Sequence, residues 1–178
     1  MTIMNYGNLE ECQSPWCTNV SLHLDLLKGI EAIDGGRISH GKALDWGAGH
    51  GSSTQALKNH SDDVEAVEKL EAAKIIVERS ILPAERVYVE DGIEFLKRNP
   101  KRYDFIMASL LGPVYNAGIG RHLHTLFYDA AMIGLKPQGN VLITTDVQSF
   151  RYVERELAKG RVEKSWSGFL PAWIGRKD

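Results

Sequence analysis

Five short apolar runs recur along the chain, each followed by a stretch with helical spacing, and this alternation restricts the fold more than any other feature. The runs cover residues 42–46, 64–67, 86–89, 103–109 and 141–145, short apolar stretches of strand length. Phe105, Ile106, Met107 and Ala108 form an unbroken apolar stretch, as expected of a strand covered on both faces. Helices are predicted from a cap at Thr18 or Asn19 to about residue 33, over 52–59, 70–80, 92–98 and 121–134, and over 148–159. Their apolar residues recur at helical spacing: Leu26, Leu27, Ile30 and Ile33 in the first, Ala73, Ile76 and Val77 in the third, Leu123, Leu126, Phe127 and Ala130 in the fifth. The fourth stops before Asn99-Pro100, because a residue preceding proline avoids the helical region. A turn is predicted over 136–140, and two last strands over 161–167 and 172–177. Strands alternating with helices build an α/β fold, a three-layer αβα sandwich around a mostly parallel sheet. Such sheets bind ligands beyond the carboxyl ends of their strands, where the strand order reverses.

A chain of 178 residues suits one domain, read here as an N-terminal segment and helix (1–41) packing on a core (42–178). Its formal charge of −2 offers no concentrated basic surface for phosphates. A small-molecule acceptor or ligand is therefore expected first, a protein next and nucleic acid least. The basic cluster Lys97, Arg98, Lys101 and Arg102 reads as a solvated helix end. The two cysteines, Cys12 and Cys17, form no Cys-x-x-Cys pair and read as free thiols. Residues 1–11 lack the pattern of a signal peptide, and no apolar run approaches a membrane span, so a cytoplasmic protein is expected.

The first strand runs into Asp45-Trp46-Gly47-Ala48-Gly49-His50-Gly51-Ser52. Glycines let the backbone turn tightly and let a ligand approach the main chain, and the helix that follows offers free N–H groups. The spacing is G-x-G-x-G, whereas the nicotinamide fingerprint G-x-G-x-x-G/A places its third small residue where Ser52 stands. Asp45, just before the turn, would repel a pyrophosphate but suits the amino group of a bound amino acid. Glu68, at the end of the second strand, can accept two ribose hydroxyls, although a dinucleotide site also places an acid there. Asp91, after the third strand, can accept from the exocyclic amine of adenine, and Ile93 can cover the ring. Trp46 is expected to pack beneath the glycine turn.

With these residues in place, the chain resembles the class I S-adenosylmethionine-dependent methyltransferases from about Lys42 onward. Asp45 to Gly51 is similar to that family's first motif, Glu68 to its ribose-binding acid and Asp91 to its adenine-binding acid. Residues 103–109 resemble its fourth strand. Leu135-Lys136-Pro137-Gln138-Gly139-Asn140 resembles its "LKPGG" turn, with Gln138 and Asn140 as departures. The resemblance implies a Rossmann-like sheet of seven strands with a reversed last strand. It also implies S-adenosyl-L-methionine as cofactor, with contacts at Asp45, Gly47, Ala48, Gly49, Gly51, Glu68, Lys69, Asp91, Gly92 and Ser109. A weaker resemblance, to polyamine aminopropyltransferases, lacks the acid those enzymes carry after strand four, where Ala108-Ser109-Leu110-Leu111 stands here. A non-catalytic protein that binds the cofactor is a further alternative.

Methyl transfer from a sulfonium is an in-line displacement in which orientation supplies about 7–11 kcal/mol, and a general base adds about 10²–10⁴-fold where the acceptor begins protonated. No residue stands out as that base, so the catalytic residues stay unassigned. Asp146 is the one clear acid near the acceptor side, so no metal is expected. Tyr115, Asn116, His122, His124 and Asp146 are candidates to touch the acceptor, and Tyr6 and Trp16 to close over it.

Overall fold

The structure is a computed structural model that describes residues 20–34, 41–108, 120–144, 164–167 and 171–177. Seven strands form one sheet: β1 (Ala43–Trp46), β2 (Val64–Glu68), β3 (Val87–Val89), β4 (Tyr103–Ala108), β5 (Leu135–Thr144), β6 (Lys164–Ser167) and β7 (Pro171–Arg176). Their order is β3-β2-β1-β4-β5-β7-β6. β1 to β5 run parallel, and β7 runs antiparallel to both β5 and β6. The mostly parallel sheet with its reversed last strand is thus present. Five helices accompany it among the described residues: α1 (Val20–Asp34), α2 (Ser52–Leu57), α3 (Ala73–Glu78), α4 (Gly92–Arg98) and α5 (Gly120–Gly134). None of them is long and apolar enough to cross a membrane. The helix expected over 148–159 lies outside the described residues.

Side-chain alternation along the strands divides the core into two layers. Ala43, Val64, Ala66, Phe105, Met107 and Leu142 face Leu26, Leu27, Ala56, Leu57 and Ile76 from α1, α2 and α3. Leu44, Trp46, Val67, Ile106, Ala108 and Val141 face Phe95, Leu96, Phe127, Ala130 and Ala131 from α4 and α5. Every residue of β1 is buried, because both faces of a central parallel strand are covered. Each fully buried Leu, Ile or Phe contributes about 1.5–3 kcal/mol of transfer free energy, so these layers dominate stability.

Three local expectations change. Trp46 does not lie beneath the glycine turn; it points to the opposite face and meets Phe127 edge-to-face at 4.6 Å. Period-2 alternation decides this, since Asp45 already occupies the turn's side. α3 begins at Ala73 rather than near Leu70, because Ala73, Lys74 and Ile75 donate three residues back in a tight turn over 70–75. Residues 136–140, expected as a free turn, are taken into β5, with a register shift between Tyr103 and Phe105. Gln138 N–H donates to the Lys177 carbonyl and Lys177 N–H to the Gly139 carbonyl, both at 3.0 Å. That reciprocal pair fixes the turn against the chain leaving β7.

The amino end of the sheet holds a buried polar cluster. Glu65 is buried and accepts from Tyr103 Oη at 2.6 Å and Arg102 Nη2 at 2.6 Å, with Lys42 Nζ at 2.7 Å. Arg102 also lies over the Tyr88 and Tyr103 rings and donates to Asn99 Oδ1. Burial alone would raise the Glu65 carboxyl, but hydrogen bonds from Lys42, Tyr103 and Arg102 outweigh it and hold the group below the usual carboxylate range.

Candidate functional site

The strand order reverses between β1 and β4: β2 and β3 extend to one side of β1, β4 and β5 to the other. The glycine turn leaves β1 at this switch point, where sheets of this kind leave a crevice. Gly47 N–H donates to the Val67 carbonyl at 2.9 Å, continuing the ladder one residue past the strand, and Gly51 N–H closes onto the Ala48 carbonyl at 2.8 Å. Gly49 and Gly51 both take positive φ, 51° and 92°. The two differ in purpose. A Cβ on Gly51 would lie 2.7 Å from Ile81 Cδ1, so packing against the loop after α3 excludes a side chain; around a Cβ on Gly49 there is nothing within 4 Å. The backbone at Gly49 therefore faces open space.

Asp45 is fully buried. Its Oδ2 accepts from Ser53 Oγ at 2.7 Å and Thr54 Oγ1 at 2.6 Å, both in the first turn of α2. Its Oδ1 is buried among the described residues with no hydrogen-bond donor. Burial pushes the carboxyl up to about 6; the two hydroxyls pull the other way, and the nearby Glu68 charge adds to the rise. A buried acceptor without a donor costs about 1–3 kcal/mol, and a cationic donor arriving from the crevice would remove that cost.

Glu68 ends β2 one pair beyond Trp46 and Val67. Its Oε2 accepts from Gly49 N–H at 2.9 Å and its Oε1 from Leu70 N–H at 2.9 Å. It thus ties the glycine turn to the tip of the neighbouring strand, and each oxygen retains a second lone pair. Asp91 caps α4: Oδ1 accepts from Ile93 N–H at 3.0 Å and Glu94 N–H at 3.3 Å. Its Oδ2 faces Lys69 Nζ at 3.4 Å, in an exposed pair. Gly92 has a packing reason to be glycine, since a Cβ there would lie 2.0 Å from Trp46 Nε1.

Asp45, Glu68 and Asp91 are therefore brought to the carboxyl ends of three adjacent strands and linked: Asp45 to Glu68 by charge, Glu68 to Gly49 by a hydrogen bond, and Lys69, the next residue, to Asp91. Ser109, Tyr115, Asn116, Asp146, Tyr6 and Trp16 lie outside the described residues, as do the side chains of His122 and His124. Ser53 and Thr54 were not expected at the site. Their signal in the sequence is a pair of hydroxyls two and three residues past Gly51, in the first turn of the helix. The cap at Asp91 was also missed, although an acid three residues before Glu94 is a helix-start pattern.

The unpaired Asp45 oxygen, the open backbone at Gly49 and the acids on β2 and β3 together fit an adenosyl amino acid, whose amine, sugar and base need acceptors in that order across the strand tips. A pyrophosphate fits poorly, because Asp45 and Glu68 would repel it.

No protein-family model matches the chain, and no curated protein matches it. Solved structures do share its architecture. Thermus thermophilus TrmN aligns with a TM-score of 0.63 at 19% identity, over 87% of this chain and 49% of that one. A ribosomal protein L11 methylase from Lactobacillus delbrueckii subsp. bulgaricus gives 0.58 at 18%, over 89% and 79%. The T. thermophilus 16S rRNA N2 G1207 methyltransferase RsmC, in complex with AdoMet and guanosine, gives 0.57 at 19%, over 77% of this chain and 35% of that one. At these identities the likeness shows the fold, the Rossmann-like one of the class I methyltransferases.

The same structures correct the expectation of a small-molecule acceptor. The acceptors named for two of them are a ribosomal RNA and a ribosomal protein. The error came from net charge, which sums over the whole chain and says nothing about one local surface.

Proposed function

We propose that this chain is an S-adenosylmethionine-dependent methyltransferase acting on a macromolecular acceptor. The observation that carries the cofactor reading is the donorless, buried Asp45 oxygen beside the open backbone of Gly49. The macromolecular acceptor is supported by the RNA and protein substrates named for enzymes of the same fold.

When bound, the cofactor supplies a methyl group already activated on a sulfonium sulfur. In this reading Asp45 Oδ1 accepts the amine of the amino acid end. Glu68 uses its remaining lone pairs for the ribose hydroxyls while holding Gly49 in place. Asp91 Oδ2 takes the adenine amine in exchange for Lys69, an exposed partner whose pairing is worth at most about 1 kcal/mol. Gly47, Ala48, Gly51, Gly92 and Ser109 complete the contacts. The protein's contribution is positioning: a rigid turn, pinned to two strands, holds one reactant so that an acceptor can approach in line.

Isothermal titration with S-adenosylmethionine and S-adenosylhomocysteine tests the cofactor, and failure of both to bind rejects the reading. Transfer of a labelled methyl group into RNA or protein fractions tests the acceptor. Label found only in small molecules would overturn that part.

A further inference from the structure

We propose that, in mildly acidic solution, Asp45 gives up a proton when the amino acid end of the cofactor binds, protonated in the free protein and charged in the complex, with Ser53 and Thr54 setting the pH of the exchange. The inference rests on the cofactor reading above and adds to it a protonation state for this chain's own site.

The geometry supplies the argument. Asp45 is sealed from solvent, with both available hydroxyls on Oδ2 and none on Oδ1. A proton on Oδ1 is therefore held to higher pH than on an ordinary carboxyl, since an ionised oxygen without a donor is costly to bury. Among the described residues, no cation contributes to the balance at Asp45. Beside Asp45, β2 places Ala66 and β4 places Met107, and α2 offers only hydroxyls. α3 brings the apolar Ile76 to that face. α1, packed on α2, carries His23, which burial pushes down to about 4, so it is uncharged at neutral pH. His50 lies in the turn itself. The charged group acting on Asp45 among the described residues is Glu68, a second carboxylate.

An α-ammonium, protonated below about pH 7.7, reverses this balance. It donates to Oδ1 and carries the charge the site lacks. The Asp45 O–H bond then breaks and its proton passes to the buffer, while the ammonium keeps its own three. With the free carboxyl near 6, binding releases roughly three-quarters of a proton per site at pH 5.5, falling to about one-quarter at pH 6.5. Affinity weakens about threefold between those values as pH falls. Ser53 and Thr54 act as positioning residues: both hydroxyls stabilise the charged form, so removing one moves the exchange to higher pH.

The test is calorimetric titration of the full chain with S-adenosylhomocysteine at pH 5.5 and 6.5, each in two buffers of different ionisation enthalpy. Asp45→Asn should abolish the release, and Ser53→Ala should increase it at pH 6.5. Methylthioadenosine, which has sugar and base but no amino acid end, should release none. Binding of S-adenosylhomocysteine without proton release at pH 5.5 overturns the inference and leaves the cofactor reading intact, as does equal release with methylthioadenosine. Failure of S-adenosylmethionine and S-adenosylhomocysteine to bind at either pH removes the reading itself.

Discussion

Two buried carboxylates on adjacent strands have opposite characters. Glu65, at the amino end of β2, has cations or hydroxyls on both oxygens and is held below the usual carboxylate range. Asp45, beside it on β1 but toward the carboxyl end and on the other face, has one oxygen without a donor and is pushed up to about 6. The same residue chemistry thus serves as a clasp at one end of the sheet and as an unfilled acceptor at the other. A satisfied buried acid is accounted for by the fold alone, whereas an unsatisfied one calls for a further explanation. The largest effect expected from this contrast is at Glu65. Glu65→Ala strands Arg102 and Lys42 beside an apolar core and should cost about 3 kcal/mol in urea unfolding, at the low end of the range for broken buried pairs because both cations are partly exposed. Cofactor affinity of the folded protein should stay unchanged. A loss below about 1 kcal/mol would dissolve the distinction between the two ends.

The next effect separates the two acids by the sign of their pH dependence. A carboxyl raised in the folded state binds more protons there than in the unfolded chain, so stability falls as pH rises between the unfolded value, about 3.9, and about 6. For Asp45 this amounts to about 2–3 kcal/mol across that window. Glu65, being lowered, contributes stability above the unfolded glutamate value and loses it as pH falls through its folded one. Asp45→Asn should therefore flatten the stability curve from pH 4 to 6.5 while leaving the acid limb in place. Urea midpoints measured at half-unit pH intervals give the answer, and an unaltered slope in the variant would refute the assignment of that titration to Asp45.

How much of this was readable from residues alone follows the same division. Strand positions were legible because burial on both faces leaves unbroken apolar runs: β4, predicted over 103–109, spans Tyr103–Ala108. α4 was placed to the residue, its end marked by Asn99-Pro100, although the cap at Asp91 went unread. The acids at the strand tips were legible from their places: Asp45 just before the glycine turn, Glu68 at the end of the second run and Asp91 shortly after the third. The state of each acid was not. Asp45 and Glu65 both appear as a carboxylate inside an apolar strand, and only three-dimensional neighbours, residues 53 and 54 for the first and 42, 102 and 103 for the second, tell them apart. The side to which Trp46 turned follows from strand alternation, but the partners it meets there, Gly92 and Phe127, are remote in sequence.

Gly92 tests whether the ligand end of the sheet tolerates change better than the clasp end. Gly92→Ala places a methyl group against the Trp46 indole, and overpacking of this kind costs typically 1–3 kcal/mol; about 2 kcal/mol is expected in urea unfolding. A simultaneous Trp46→Phe substitution opens space for the methyl group, so the double variant should be more stable than the sum of the two single losses. Additive losses would show that the glycine is not there for the indole.

The smallest effect lies back at the clasp end. Gln138 holds φ at 65°, a region that costs an ordinary side chain about 1–2 kcal/mol, and its side chain is exposed. Its backbone N–H, which glycine would keep, makes the bond to the Lys177 carbonyl. Gln138→Gly removes the conformational cost and gives back about 0.5–1 kcal/mol through the greater freedom of the unfolded chain. The net gain should be about 0.5 kcal/mol. Gln138→Val, a β-branched residue that tolerates this region least, should lose more than that. The order Gly, Gln, Val in thermal midpoint is what the backbone geometry requires. Because the turn stands at the opposite end of the sheet from the carboxyl ends of the strands, none of the three should alter binding of S-adenosylhomocysteine. A glycine variant less stable than the parent would mean that the Gln138 side chain, rather than its backbone, secures the turn to β7.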